Sequence, residues 1–297
     1  MRVATRSIYS SMQQNLLRLS SELSRLNERV ASGKKVGRPS DDPMGVAQVM
    51  HLRSALSQTE QYGRNIEAGK AWLERSESTL SQVLDVAGRA RELATQMAND
   101  TQNAQTRAEA ATEVGHLLDQ AIALANSELG GRYLFSGYAT QTRPFAKVSA
   151  GGIETARYDG DSQSFRIQIG NEEYLEIGKS GESVFLESGL FDILGTLKKA
   201  LEENDGETIA SQIDQLKEAE DHLSNEIADV GAKAARIEAK QTILADLNLQ
   251  LTERISQIED GDYAAMIVEL KGKELAYEAA LASSAKLSEL SLLDYLR

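Results

Sequence analysis

The residues of this 297-residue chain that could do chemistry are few, and their spacing does not suit it. The run Gly63-Arg64-Asn65-Ile66-Glu67-Ala68-Gly69-Lys70-Ala71 approaches a phosphate-binding loop, in which backbone N–H groups cradle phosphates and a Ser or Thr holds Mg²⁺. Its spacing is one residue too long, Ala71 stands where the hydroxyl is needed, and no strand precedes it. His51, His116 and His222 fall in three separate helical segments without the spacing of a metal site. Asp41-Asp42 is explained by a loop followed by a helix cap. Glu259, Asp260 and Asp262 around Gly261 lack the twelve-residue calcium-loop pattern. Asn99-Asp100-Thr101 fits a glycosylation acceptor, which matters only in a secretory pathway for which the sequence shows no signal. There is no Cys, which excludes disulfides, thiolate metal sites and cysteine nucleophiles. No catalytic residue, cofactor or metal is expected.

The pattern that does recur is helical. Near the start, Met12, Leu16, Leu19, Leu23, Leu26 and Val30 follow one another at steps of four and three, the a/d seam of a coiled coil. Near the end, Tyr263, Ile267, Leu270, Tyr277 and Leu281 keep a related rhythm, and Leu287, Leu290 and Leu293 extend the apolar face. Each terminal helix has an apolar stripe and no local partner, so the two are expected to pair with each other. The rest of the chain then becomes an insertion between them.

Composition agrees with long helices: 41% apolar, only 5% aromatic, one Trp and three Pro. The net charge of −13 disfavours nucleic acid, because phosphate binding needs clustered Lys and Arg. The charge is split. Residues 1–60 hold nine basic and five acidic side chains, whereas residues 201–240 hold eleven acidic and four basic. Such runs make solvated helix faces, or complementary patches that set register between subunits. No stretch approaches the ~20 apolar residues of a membrane span, so no membrane insertion is expected. Residues 1–21 carry Arg2, Arg6 and Arg18 and no acid, like a transit peptide, but the seam runs unbroken through Leu19 to Val30 and reads as structure.

Along the chain, Gly33 with Lys34-Lys35 should end the first helix, and Asp42-Pro43 should cap the next. That second helix runs to about residue 99, with Ile66, Leu73, Leu80, Ala87 and Ala94 on a seven-residue period and a break possible near Gly63. A third helix is expected over 106–128. Between Gly131 and Leu186 the period becomes two, as in Phe165, Ile167 and Ile169, with turns at 159–161, 170–171 and 178–181, which predicts a small antiparallel β module. Helix resumes at about Leu190, pauses at Asn204-Asp205-Gly206 and runs to Ile258, with Val230, Ile237, Leu244 and Leu251 on the same seven-residue period. The expected fold is mainly α: an elongated antiparallel helical bundle with paired N- and C-terminal helices and a small inserted β module. Three domains follow: 1–42 with 259–297, 43–130 with 190–258, and 131–189.

Several stretches carry a family resemblance. Leu26-Asn27-Glu28-Arg29-Val30-Ala31-Ser32-Gly33-Lys34-Lys35, followed by Ser40-Asp41-Asp42-Pro43, resembles the N-terminal signature of bacterial flagellins. Arg91-Glu92-Leu93-Ala94 and Ala98-Asn99-Asp100-Thr101 resemble the family's next landmark. Gly131-Arg132-Tyr133-Leu134-Phe135-Ser136-Gly137, Thr140-Gln141-Thr142-Arg143-Pro144-Phe145 and the tail Leu290-Ser291-Leu292-Leu293-Asp294-Tyr295-Leu296 are similar to its hook-associated type 3 branch. The resemblance implies a non-enzymatic structural subunit of the flagellum, located outside the cell and exported without a cleaved signal. It also implies a ring of neighbouring copies between hook-associated protein type 1 and flagellin, with a flagellar export chaperone bound before secretion. Filament flagellin itself, or a soluble coiled-coil adaptor or chaperone, are the rival readings. The terminal helices are expected to be marginal alone, because packing supplies most helical stability, and to gain order on assembly.

Overall fold

The computed structural model describes the backbone of residues 2–99 and 102–295, and the side chains of residue 7, residues 9–99 and residues 102–286. Among the described residues the fold is mainly α. Its helices are α1 (Arg2–Ser32), α2 (Pro43–Met97), α3 (Ala104–Ala125), α4 (Leu190–Glu202), α5 (Gly206–Glu259) and α6 (Tyr263–Tyr295). Between α3 and α4 lie strands β1 (Glu128–Leu129), β2 (Arg132–Tyr133), β3 (Phe145–Ala150), β4 (Ile153–Tyr158), β5 (Arg166–Gly170) and β6 (Glu173–Glu176), then a π-helical turn, Glu182–Leu186.

The chain divides into two compact units, Met1–Gln58 with Leu247–Arg297, and Thr59–Asp246. This differs from the three-part division read from the sequence, because both boundaries fall inside α2 and α5 rather than in loops, and the β module lies in the same unit as the helices around it.

Local chemistry sets most helix ends. Gly33 adopts φ +72°, the left-handed position that stops α1. The Gly45 N–H donates to Asp42 Oδ1 at 2.9 Å, which caps α2 ahead of Pro43. The break considered near Gly63 does not occur; α2 is continuous for 55 residues. A glycine costs a helix only about 1 kcal/mol, and the fully buried Ile66, Leu73 and Leu80 just beyond it outweigh that. Gly69 has a packing reason, since a Cβ there would stand 2.4 Å from Ile167 Cδ1. The third helix starts at Ala104, earlier than expected, because the Asn103 side chain accepts the Thr106 N–H at 2.9 Å.

Within Thr59–Asp246 one continuous core joins α2, α3, α4 and α5. The seven-residue positions Ile66, Leu73, Leu80, Ala87 and Ala94 are fully buried, as are Val230 and Ile237. The β module is three separate two-stranded antiparallel hairpins, not one sheet. It does not enclose a core of its own. Phe135, Phe145, Phe185 and Phe191 cluster with ring centroids 5.1 to 5.6 Å apart, joining the strands, the π-helical turn and α4. Four of the five Phe in the chain are used there. The β1–β2 and β3–β4 turns, unread in the sequence, are Gly130-Gly131 and Gly151-Gly152, all with positive φ as tight hairpins demand. In β5 the register shifts between Gln168 and Gly170, so Ile169 and Gly170 are both buried and the period-two pattern ends. Helix α4 lies so close to β4 that a Cβ on Gly195 would sit 1.9 Å from the Glu154 carbonyl oxygen.

One buried cation fixes an end of this unit. Arg107 donates from Nε to the Met97 carbonyl at 3.0 Å, from Nη2 to the Asn99 carbonyl at 3.3 Å and from Nη1 to Asn204 Oδ1 at 2.7 Å. It thereby caps the carbonyls at the end of α2 and ties them to the α4–α5 turn, where Asn204 has φ +57°.

Candidate assembly surface

The terminal helices α1 and α6 pack on each other, as their stripes require. On α1, Leu26 is buried and Met12, Leu16, Leu19, Leu23 and Val30 are half-buried. On α6 the covered strip is Met266, Leu270, Lys273, Tyr277, Ala280 and Ser284, a strict four-three spacing, with Met266 and Leu270 buried. Lys273 Nζ donates to Glu22 Oε2 at 2.6 Å across the pair and holds that carboxyl below its usual range. Leu270 and Tyr277 therefore belong to the strip as expected from the sequence. Tyr263, Ile267 and Leu281 do not; they are exposed, and Met266, which the sequence reading passed over, takes the covered position. Leu287, Leu290 and Leu293 lie in the α6 backbone, with side chains outside those described.

The misplacement has a physical cause. Helix α6 carries apolar residues on every side, interspersed with Glu269, Lys271, Glu274 and Glu278, so periodicity cannot choose a face. Tyr263 is 56% exposed, Val268 72% and Leu275 68%, and Ile267 and Leu281 join them. Several large apolar side chains exposed on one helix mark a surface suited to a further partner. Fully burying side chains of this kind stabilises by about 1.5–3 kcal/mol each. Helix α1 supplies cover on one side only.

The turns at the bases of these helices are bonded to each other. Glu259 takes the Lys35 N–H on its carbonyl at 2.8 Å, and the Gly261 N–H donates to the Gly33 carbonyl at 3.0 Å, so Lys34 and Asp260 face each other as an antiparallel bridge. The Glu259 carboxylate, with its side chain 11% exposed, accepts from Lys34 Nζ at 2.8 Å and from Arg53 Nη2 at 2.7 and 2.9 Å. Lys35 Nζ donates to the Gln257 carbonyl at 2.8 Å. Sequence reasoning read both segments as interruptions and missed their pairing. The available signal was Lys34-Lys35 beside one glycine and Glu259-Asp260 beside another.

The residues weighed for chemistry are accounted for structurally. Residues 63–71 lie in the middle of α2. His51 and His116 are exposed, and His222 Nε2 lies 2.8 Å from the Ser183 carbonyl oxygen. Asp41 and Asp42 serve the α1–α2 turn and the α2 cap, and Asp262 Oδ1 accepts the Ala264 and Ala265 N–H groups to cap α6. Among the described residues no cluster of three or more His, Asp or Glu has the geometry to hold a metal, and no helix is long and apolar enough to cross a membrane.

Comparison with known proteins gives one answer. Residues 3–140 match the bacterial flagellin N-terminal helical region, and residues 213–296 match the bacterial flagellin C-terminal helical region, together more than half of the chain. The flagellar hook-associated protein 3 of Escherichia coli is 29% identical over 98% of this chain and 98% of its own length. A flagellar hook-associated protein of Vibrio parahaemolyticus superposes with a TM-score of 0.67 at 20% identity, covering 74% of this chain and all of that one. The flagellar junction protein FlgL of Legionella pneumophila gives a TM-score of 0.61 at 15% identity over 72% of this chain and all of its own, a likeness of fold. The chain belongs to the bacterial flagellin family.

Proposed function

We propose that this protein is a structural subunit of the bacterial flagellum at the hook–filament junction. It assembles through α1 and α6 into a ring of neighbouring copies, between hook-associated protein type 1 and the first flagellin subunits. For assembly we retain the division read from the sequence, in which the terminal pair, 1–42 with 259–297, is the part that polymerises. A flagellar export chaperone covers the C-terminal helix before the protein leaves the cell for the flagellum outside. The rest of the chain has no catalytic task.

The observation that carries this reading is the surplus apolar face of α6. Met266, Leu270 and Tyr277 are turned to the covered strip, while Tyr263, Ile267, Val268, Leu275 and Leu281 stay in water. An isolated subunit gains nothing from such a face, and a subunit flanked by copies buries it. The similarity to hook-associated protein 3 over nearly the whole of both chains supports the junction over the filament.

The test is reconstitution. Hooks bearing hook-associated protein type 1 are mixed with free flagellin, with and without this protein, and imaged for growth. Filaments that require it support the junction role. Growth without it, or long filaments made of it alone, overturns that role; the second result favours filament flagellin.

A further inference from the structure

A cleft of about 820 Å³ opens beside the start of α2, within the unit made of Met1–Gln58 and Leu247–Arg297. Met44, Ala47 and His51 are exposed along it, at steps of three and four on one face of α2, and the half-buried Leu52 and Ile258 help to wall it. Most of the lining is apolar. Met44 is 81% exposed, so this large and adaptable side chain gains little burial from its own subunit. The two charged side chains of the cleft are engaged locally. Asp42 Oδ1 accepts the Gly45 N–H at 2.9 Å, and Lys35 Nζ donates to the Gln257 carbonyl at 2.8 Å. Their charges are opposite, so the cleft presents no net charge and suits an apolar guest better than an ion.

Helix α6 carries such a guest. On its side away from the strip packed on α1, Ala265, Val268, Gly272, Leu275, Ala279 and Ala282 are all exposed. They recur at steps of three and four, a second coiled-coil seam, and none of them is charged. Val268 and Leu275 are its two large side chains, 72% and 68% exposed. Seven residues separate them, about 10.5 Å along a helix, and the same interval separates Met44 from His51 on α2.

We infer that the cleft at the start of α2 receives the outer strip of α6 from a second copy of this chain, with Val268 and Leu275 as the entering side chains. The inference rests on the reading that copies flank one another, and it names the surface each offers the next. Symmetry selects the pairing. Two copies that met α6 to α6 about a two-fold axis would close a pair and stop, whereas a ring needs one surface of each copy to meet a different surface of its neighbour. A cleft and a strip on the same unit provide that unlike pair. The other cleft of this unit, beside the clasp, is lined by charged side chains such as Arg25, Arg29, Glu269 and Lys273, and does not match an uncharged strip.

Because the chain has no cysteine, the contact can be tested by crosslinking the full-length protein. The double variant Met44→Cys, Val268→Cys is treated with a short bismaleimide, both as concentrated free protein and on hooks bearing hook-associated protein type 1. A ladder of covalent oligomers larger than dimers is expected on a denaturing gel in at least one of the two samples. Adding Ala47→Asp, a charge at an exposed position on the cleft, should weaken the ladder about tenfold. No ladder in either sample, or a ladder indifferent to Ala47→Asp, overturns the inference. So do dimers from Val268→Cys alone that match the double variant in yield, since they would set α6 against α6. Filament growth from the same hooks is scored separately with the unsubstituted chain, so failure of the cleft leaves the junction role to its own assay.

Discussion

Replacing Glu259 by Gln tests the clasp at the base of the terminal helices. The carboxylate receives three contacts of 2.7 to 2.9 Å from Lys34 and Arg53. A hydrogen bond to a charged group contributes about 1.5–3 kcal/mol when enclosed. Here the cations are 38% and 52% exposed, so solvent screens them and they can turn to water when the charge is removed. The loss is therefore nearer 1.5 kcal/mol, roughly tenfold in a local opening equilibrium. The neighbouring amides report it directly, since Lys35 N–H is held by the Glu259 carbonyl and Gly261 N–H by the Gly33 carbonyl. Hydrogen exchange at Lys35 and Gly261 should quicken by about tenfold in Glu259→Gln. Amides in α3 and α4 should exchange as before. Unchanged protection at both clasp amides would show that the backbone bridge stands without the carboxylate, and the reasoning fails.

Three further outcomes are expected. Gly195→Ala should destabilise the Thr59–Asp246 unit by about 3 kcal/mol, because its Cβ meets a backbone oxygen that cannot rotate away, and unaltered thermal unfolding would contradict the close approach of α4 to β4. Lys240 and Arg236 hold the Glu173 carboxyl below its ordinary 4.5, so this clamp on the β5–β6 hairpin is whole above pH 4.5 and goes as pH falls through the lower folded value. The single Trp72, edge-on to Phe165 at 4.9 Å, should report that loosening as a change in emission on acidification, absent in Glu173→Gln. Leu19→Asp with Leu23→Asp should abolish incorporation at the junction and leave the melting of the Thr59–Asp246 unit unchanged; filaments still growing from such hooks would remove the α1 seam from the assembly surface.

Where one face of a helix was apolar, the sequence was enough to place it. The seven-residue positions of α2 are buried, as are Val230, Ile237 and Leu244 of α5, while Leu251 and the α1 seam apart from the buried Leu26 are half-buried. Helix α6 was harder, because apolar residues on every side leave no period to follow, and three of the residues assigned to its seam lie in water. The β module was legible as alternation but not as three hairpins. Its Gly-Gly turns were present in the sequence, yet the aromatic cluster that roots the strands among the helices joins residues up to 56 positions apart. Arg107 could not have been found by pattern, since two of its three acceptors are main-chain carbonyls. The bonding of Glu259 to Lys34 likewise joins positions more than 200 residues apart, and only the folded chain brings them together.

Because the chain lacks cysteine, single thiols placed at Val268 and Leu275 can be read without background. In the free subunit both should react rapidly with a maleimide, as their exposure requires. On hooks carrying hook-associated protein type 1 and flagellin, both should become protected, while a thiol at the exposed Glu207 of α5, in the Thr59–Asp246 unit, continues to react. Equal reactivity of all three before and after assembly would mean that the outer face of α6 meets no neighbour, against the central claim.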